Sequence, residues 1–332
     1  MTHSTIITAF ASFFIVLILT PWFIRFAKRI NLTAIDQNKK NKPKIATSGG
    51  LVLFIGIFFG LMTFIFFRTF FPEKGALLIN NNSLTLLFAA LTSIFLIMFI
   101  GFVDDLLRKS KYEFPGLRQW EKPLLTLVAA IPLIVVNAGT TFINLPFIGT
   151  VNFGLAYPLI LIPIMVVGAS NMVNLLGGFN GMESGMAIVY IGMLGLFSFV
   201  NNRYLAALIA LVTFMSLLAF YIYNKYPARI LPGDSLTYLL GAVIVSIAVL
   251  GNIEKSALII SIPFIFEFVL KLRSKLKAQS YGYYKDGKIK SFYKKIYSLP
   301  HIFTRTGKFT EKQIVHFFIF IELIFAIFIW FV

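Results

Sequence analysis

The chain has 332 residues, 58% hydrophobic and 13% charged, with 38 phenylalanines and a mean hydropathy of +0.85. One soluble domain of this length cannot bury that much apolar surface, and runs near the ~20 residues that cross a bilayer recur along it, so a soluble globular protein is excluded. Zero cysteines exclude disulfides and thiolate metal sites, and the formal net charge of +17 points to anionic lipid, with a smaller share left for an anionic substrate.

In chain order, apolar runs predict ten spans, over 5–26, 49–71, 84–103, 124–138, 156–172, 184–200, 203–223, 235–251, 255–271 and 314–332. The first is too long for a signal-peptide core and no small-residue cleavage site follows it, so it counts as a span. Pro132, Pro163 and Pro263 interrupt three spans, which membranes tolerate because neighbouring helices re-satisfy freed backbone groups. Between the fourth and fifth spans, "GTTFINLPFIGTVNFGL" (139–155) alternates β-formers with Gly, Asn and Pro and predicts a short hairpin. The expected fold is an all-α polytopic membrane protein with a small extracytoplasmic β-hairpin. It forms one integral membrane domain over 1–332 that carries a long basic cytoplasmic loop at 271–313.

Loops 25–48, 104–122, 224–234 and 271–313 hold 26 of the 30 Lys and Arg residues, while the alternate loops hold only Arg68, Lys74, Arg203 and Lys255. The positive-inside rule places the first set in the cytoplasm and both termini outside. The tyrosine-laced basic run from Lys271 to Lys295 superficially suggests nucleic acid; in a membrane protein it belongs on anionic lipid, and no nucleic-acid partner is expected.

The acids fall at the predicted cytoplasmic ends of spans. Asp104–Asp105 in "GFVDDLLRKS" closes the third, Glu183 follows the amide cluster "NMVNLLGGFNGMES", and Asp234 in "LPGDSLTYLLG" opens the eighth. Ionisable groups at membrane depth are costly and often mark a site. Bland readings stand beside this one: the acid pair could be a helix end meeting Arg108 and Lys109, Asp234 could be an N-cap, and the amides could bond between helices. Asn171 and Asn174 share a helix face by spacing, and the Gly177–Gly178 pair lets Asn180 and Glu183 approach the same spot. Amide and carboxylate oxygens suit Mg²⁺, which takes one or two protein oxygens and completes its shell with water and phosphates. Glu267 and Glu322, inside the ninth and tenth spans, have no visible partner and are assigned to helix packing or a protonated state.

Together with "KIATSGGLVLFIG" after the first basic loop, these motifs resemble, in order and spacing, the polyprenyl-phosphate N-acetylhexosamine-1-phosphate transferases. Bacterial members carry Asp where this chain has Gly177 and Asn180, and several His where it has only His301; the Asn-Gly-Met-Glu ending resembles the dolichyl-phosphate GlcNAc-phosphotransferase branch. The resemblance implies transfer of GlcNAc-1-phosphate from UDP-GlcNAc to a polyprenyl or dolichyl phosphate, with Mg²⁺ or Mn²⁺ held by Asn174 and Asp234. It implies catalytic roles for Asp104, Asp105 and Lys122, with one carboxylate holding the lipid phosphate's last proton or anchoring Lys122. Substrate contacts would come from Asn171, Asn180, Glu183, His301 and Arg305, with Lys308 a further candidate. Membrane lipids and a second copy of the chain, as a homodimer, are the other expected partners. The rivals are the same chemistry on another UDP-N-acetylhexosamine, a secondary transporter, for which no inverted repeat is visible, and an intramembrane prenyltransferase, whose paired D-x-x-x-D pattern is absent.

Overall fold

The computed structural model of the protein describes residues 3–71, 81–109, 116–145 and 149–331. The first span is α1 (His3–Arg29). A short antiparallel pair, β1 (Thr33–Ile35) and β2 (Lys44–Ala46), then leads into α2 (Gly49–Phe70) and α3 (Asn81–Lys109). The fourth span is broken into α4 (Glu121–Val128) and α5 (Ile131–Val135), and the predicted hairpin follows as β3 (Phe142–Leu145) against β4 (Gly149–Asn152). A π-helical segment, Tyr157–Leu161, runs into α6 (Ile162–Leu175), and then come α7 (Met182–Val200), α8 (Tyr204–Asn224) and α9 (Gly233–Gly251). The ninth span is again broken, into α10 (Glu254–Ile260) and α11 (Ile262–Leu272). The last basic loop carries β5 (Tyr283–Lys285), β6 (Lys288–Lys290) and α12 (His301–Thr304) before α13 (Glu311–Phe328).

All ten predicted spans are therefore helical. Eight helices among the described residues are long and apolar enough to cross a membrane, and the other two spans are each split. Pro132 and Pro263 each lie in the first turn of a helical segment, where the missing N–H removes no intrahelical bond and the fixed φ suits the helix. Pro132 and Pro263 restart a helix after a break, whereas Pro163 sits where the π-helical segment passes into α6. The chain is a multi-pass membrane protein whose outer helices show phenylalanines such as Phe66, Phe99 and Phe320 outward, as a lipid-facing surface requires.

The core is organised around α9. Nearly every one of its residues is buried, and it packs against α2, α3, α6 and α8. The C-terminal ends of α3 and α6 and the N-terminal ends of α4, α7 and α9 meet at one end of the bundle. Helix termini leave unpaired backbone groups there, and those groups need polar partners.

Candidate active site

Consecutive residues on a helix point about 100° apart, so Asp104 and Asp105 in the last turns of α3 face different neighbours. Asp105 turns towards α9. Its Oδ1 accepts the Asp234 N–H at 2.8 Å, and its Oδ2 accepts the Ser235 N–H at 3.2 Å and the Ser48 hydroxyl at 2.8 Å. It thus caps the α9 N-terminus, where unpaired amides and the helix dipole both favour a carboxylate. The close approach depends on Gly233, which has φ of +69° and where a Cβ would stand 2.3 Å from Asp105 Oδ2. The sequence left an N-cap reading open for Asp234; the structure gives that work to Asp105.

Asp104 is fully buried. Its Oδ2 accepts Lys122 Nζ at 2.6 Å and Arg108 Nη2 at 2.9 Å, and its Oδ1 accepts the Leu117 N–H at 2.6 Å. The same two cations reach Asp234 Oδ2, at 2.9 Å from Lys122 and 3.0 Å from Arg108. Two carboxylates and two cations close a ring across α3, α4 and α9, and Asp104 is the buried member that holds both cations in place. Asn174 donates to Asp234 Oδ2 at 3.2 Å and accepts from Thr237 Oγ1 at 2.7 Å. Asn171, one turn earlier on α6, donates to Thr126 Oγ1 at 3.2 Å and to the Val167 carbonyl at 2.8 Å.

This ring forms one wall of a cleft of about 1570 Å³, with Arg108, Lys122, Asn174 and Asp234 facing it and Tyr281 and Gln279 of the last loop on another side. Asn180 and Glu183 line the same cleft but do not join the cluster as expected. The Asn180 amide donates to Asp36 Oδ2 at 3.0 Å and its backbone N–H to Glu311 Oε1 at 2.9 Å, while Lys39 bridges those two acids. Glu183 Oε1 accepts the Gly178 N–H at 2.8 Å, so its carboxylate folds back to close the glycine turn.

Two predicted substrate contacts lie elsewhere. His301 is completely buried: Nδ1 accepts the Tyr297 N–H at 3.2 Å, Nε2 lies 2.8 Å from the Gln279 carbonyl, and Tyr293 stacks on the ring. Burial holds its pKa below the ordinary histidine value, so at neutral pH the ring is the neutral Nε2–H tautomer, bracing the loop from inside. Arg305 lines a separate, smaller cleft. Glu267, expected to lack a partner, accepts the Ser298 hydroxyl at 2.6 Å and the Leu299 N–H at 2.7 Å and so ties this loop to α11. Both Glu322 carboxylate oxygens are buried without a hydrogen-bond partner.

Sequence reasoning gave Arg108 only the bland role of a basic residue beside the acids at a helix end, although its i,i+4 spacing from Asp104 was visible. Ser48 and Asp36 carried no local signal, because their partners are 57 and 144 residues away. The donor set fits a hard divalent cation of the Mg²⁺ type. Asp234 and Asn174 both line the cleft; Asp234 Oδ1 receives only a 3.3 Å contact from Arg108, while Asn174 Oδ1 also accepts the Thr237 hydroxyl. Among the described residues there is no cluster of three or more His, Cys, Asp or Glu side chains that would hold a metal by itself.

Residues 86–252 match the family model described as glycosyl transferase family 4. The chain is 36% identical over 95% of its length, and 92% of the relative's, to an archaeal protein of Saccharolobus solfataricus provisionally named as a UDP-N-acetylglucosamine–dolichyl-phosphate N-acetylglucosaminephosphotransferase. A protein of Sulfolobus acidocaldarius with the same provisional name is 32% identical, over 97% of this chain and 94% of its own. The phospho-N-acetylmuramoyl-pentapeptide-transferase of Streptococcus mutans is 31% identical over 80% of this chain and 78% of its own.

Proposed function

The chain belongs to glycosyl transferase family 4, and from that premise we propose that it transfers GlcNAc-1-phosphate from UDP-GlcNAc to a dolichyl or other polyprenyl phosphate. An oxygen of the lipid phosphate forms a bond to the β-phosphorus, the bond from that phosphorus to the oxygen bridging the α-phosphate breaks, and UMP leaves with the electron pair. The products are polyprenyl-diphospho-GlcNAc and UMP.

The observation that carries this reading is the ring of Lys122 and Arg108 shared by Asp104 and Asp234 at the wall of a large cleft. Phosphoryl transfer demands positioned positive charge more than covalent help. Asp104 holds Lys122 and Arg108 from behind, so their remaining donors are aimed into the cleft without reorganisation when the phosphates arrive. Lys122 takes up developing charge as a point cation, and Arg108 orients an oxygen pair through its planar fork. Asp105 acts as a positioning residue: it fixes the α9 N-terminus and with it Asp234. Asp234 and Asn174 would hold Mg²⁺ or Mn²⁺, which when bound supplies charge neutralisation to the diphosphate. No strong base is required, because a phosphomonoester with a second pKa of about 6 is already largely dianionic at neutral pH.

The mouth of the cleft faces the cytoplasm on this reading, since the basic loops surround it. A homodimer is retained as part of the proposal. The deciding measurement is UMP release by the purified chain from a panel of UDP-sugars, with and without a short polyprenyl phosphate. Release that requires the lipid and prefers UDP-GlcNAc is expected; release from no UDP-sugar under either condition overturns the reading.

A further inference from the structure

The last basic loop holds a second cleft, of about 340 Å³, between the β5–β6 hairpin and α12, and it shares no lining residue with the large one. Lys290, Lys294, Thr304 and Arg305 are among the residues that line it. We propose that this cleft binds a phosphate group at a site distinct from the transfer chemistry.

Three observations converge on this. First, none of the three cations makes an ion pair among the described residues. Asp286 is the one acid between positions 272 and 310, and it sits exposed at the hairpin tip, outside the cleft lining. Three like charges around a small concavity repel one another, and an anion relieves that repulsion. Second, Thr304 lines the cleft while its hydroxyl is buried beneath the surface, where Oγ1 has no hydrogen-bond partner among the described residues, an unspent polar group in the wall of a cationic cleft. Third, the cleft is preformed. Tyr293 is held by the Gln279 N–H at 3.1 Å and by stacking on His301, the Ser291 N–H bonds the Thr304 carbonyl at 3.0 Å, and the Ile289 N–H bonds the Phe309 carbonyl at 3.0 Å. Gly307, at φ of +63°, lets the Lys290 stem lie across the turn, where a Cβ would meet Lys290 Cε at 3.0 Å.

Two ammonium groups and one guanidinium fork are donors that a tetrahedral phosphate oxygen set accepts. A lipid headgroup or free phosphate could supply that chemistry. Phe292 and Ile302, both exposed on the same loop, are the side chains that would meet a bilayer in the first case.

The test uses the full chain in phosphatidylcholine nanodiscs titrated with inorganic phosphate at constant ionic strength and followed calorimetrically. A parallel arm uses discs containing phosphatidylglycerol, with retained lipid counted by native mass spectrometry. The variants are Lys290→Gln, Lys294→Gln and Arg305→Gln. Lys277→Gln, an exposed site on the same loop outside the cleft, is the control, and thermal midpoints confirm that each folds. One saturable site is expected in the parent, weakened about tenfold or more by each cleft variant, as loss of one charge-assisted bond implies, and unchanged in the control. Saturable binding of inorganic phosphate identifies free phosphate as a competent ligand. Lipid retention that the cleft variants lose, without phosphate binding, identifies the headgroup. Neither signal in the parent, cleft variants that bind as the parent does, or equal weakening by Lys277→Gln overturns the site.

Discussion

At the scale of single residues, the adjacent acids of α3 divide two tasks because the helix turns them apart. Asp105 meets three donors and no cation, whereas Asp104 and Asp234 share Lys122 and Arg108. This separates stability from rate. Asp105→Asn puts an amide donor against backbone N–H groups and should cost about 1–3 kcal/mol of stability, the penalty of leaving buried donors unsatisfied. Asp234→Asn removes no capping bond and leaves both cations paired with Asp104, so its thermal midpoint should stay nearer the parent's. Its UMP release should fall by about 10²-fold or more, the size of effect seen when one preorganised electrostatic group is lost. Thermal unfolding in detergent beside turnover for both variants checks the pairing. A destabilised but active Asp234→Asn would reverse the assignment of roles.

At the scale of elements, the two split spans and the last loop are where the fold departs from straight helices. The loop is tied down from three sides: Glu267 holds Ser298 and Leu299, Asn38 accepts the Gly282 N–H at 3.2 Å, and His301 joins Tyr297 to Gln279. Burial lowers the His301 pKa, so between the folded and unfolded values the unfolded loop binds more protons, and its stability falls as pH drops below the ordinary histidine pKa of about 6.5. A proton on Nδ1 would also replace the acceptor that the Tyr297 N–H uses. Hydrogen-exchange protection of 278–300, referred to the intrinsic exchange rate at each pH, should therefore fall from pH 7.5 to pH 5.5 (values chosen about one unit either side of that pKa), and His301→Gln should flatten the dependence. An unchanged profile in the parent would mean that the ring is not held neutral.

At the scale of the whole molecule, one end of the bundle gathers the charged side chains that the rest of the chain excludes. Turnover should require Mg²⁺ or Mn²⁺ and vanish in EDTA, because two cationic side chains already committed to two carboxylates cannot neutralise a diphosphate alone. Full turnover in chelator would remove the metal from the mechanism. The orientation is open to a clean labelling experiment because the natural chain has no cysteine. Lys277→Cys should resist an impermeant maleimide added outside intact cells and react after permeabilisation, while Asn201→Cys, between α7 and α8, should react from outside. The opposite pattern would invert the topology.

The sequence by itself determined the class, the helical character of all ten predicted spans and the 139–155 hairpin, since each rests on a local property: apolar run length, proline position, or alternation of β-formers. It also singled out Asp104, Asp105, Asn171, Asn174 and Asp234, because acids and amides stand out against apolar helices, and the family resemblance added Lys122; all six are near one another in the structure. The β5–β6 turn was equally legible and went unread: Asp286-Gly287 between two short runs is a two-residue hairpin signal, and both residues take positive φ. What each side chain does was decided by tertiary structure. Asp105 rather than Asp234 caps α9, Asn180 answers to Asp36 and Glu311, and His301 and Arg305 leave the large cleft, because a hydrogen-bond partner is set by which helix ends the packing brings within about 3 Å, and residues more than a hundred positions apart carry no mark of it in the chain.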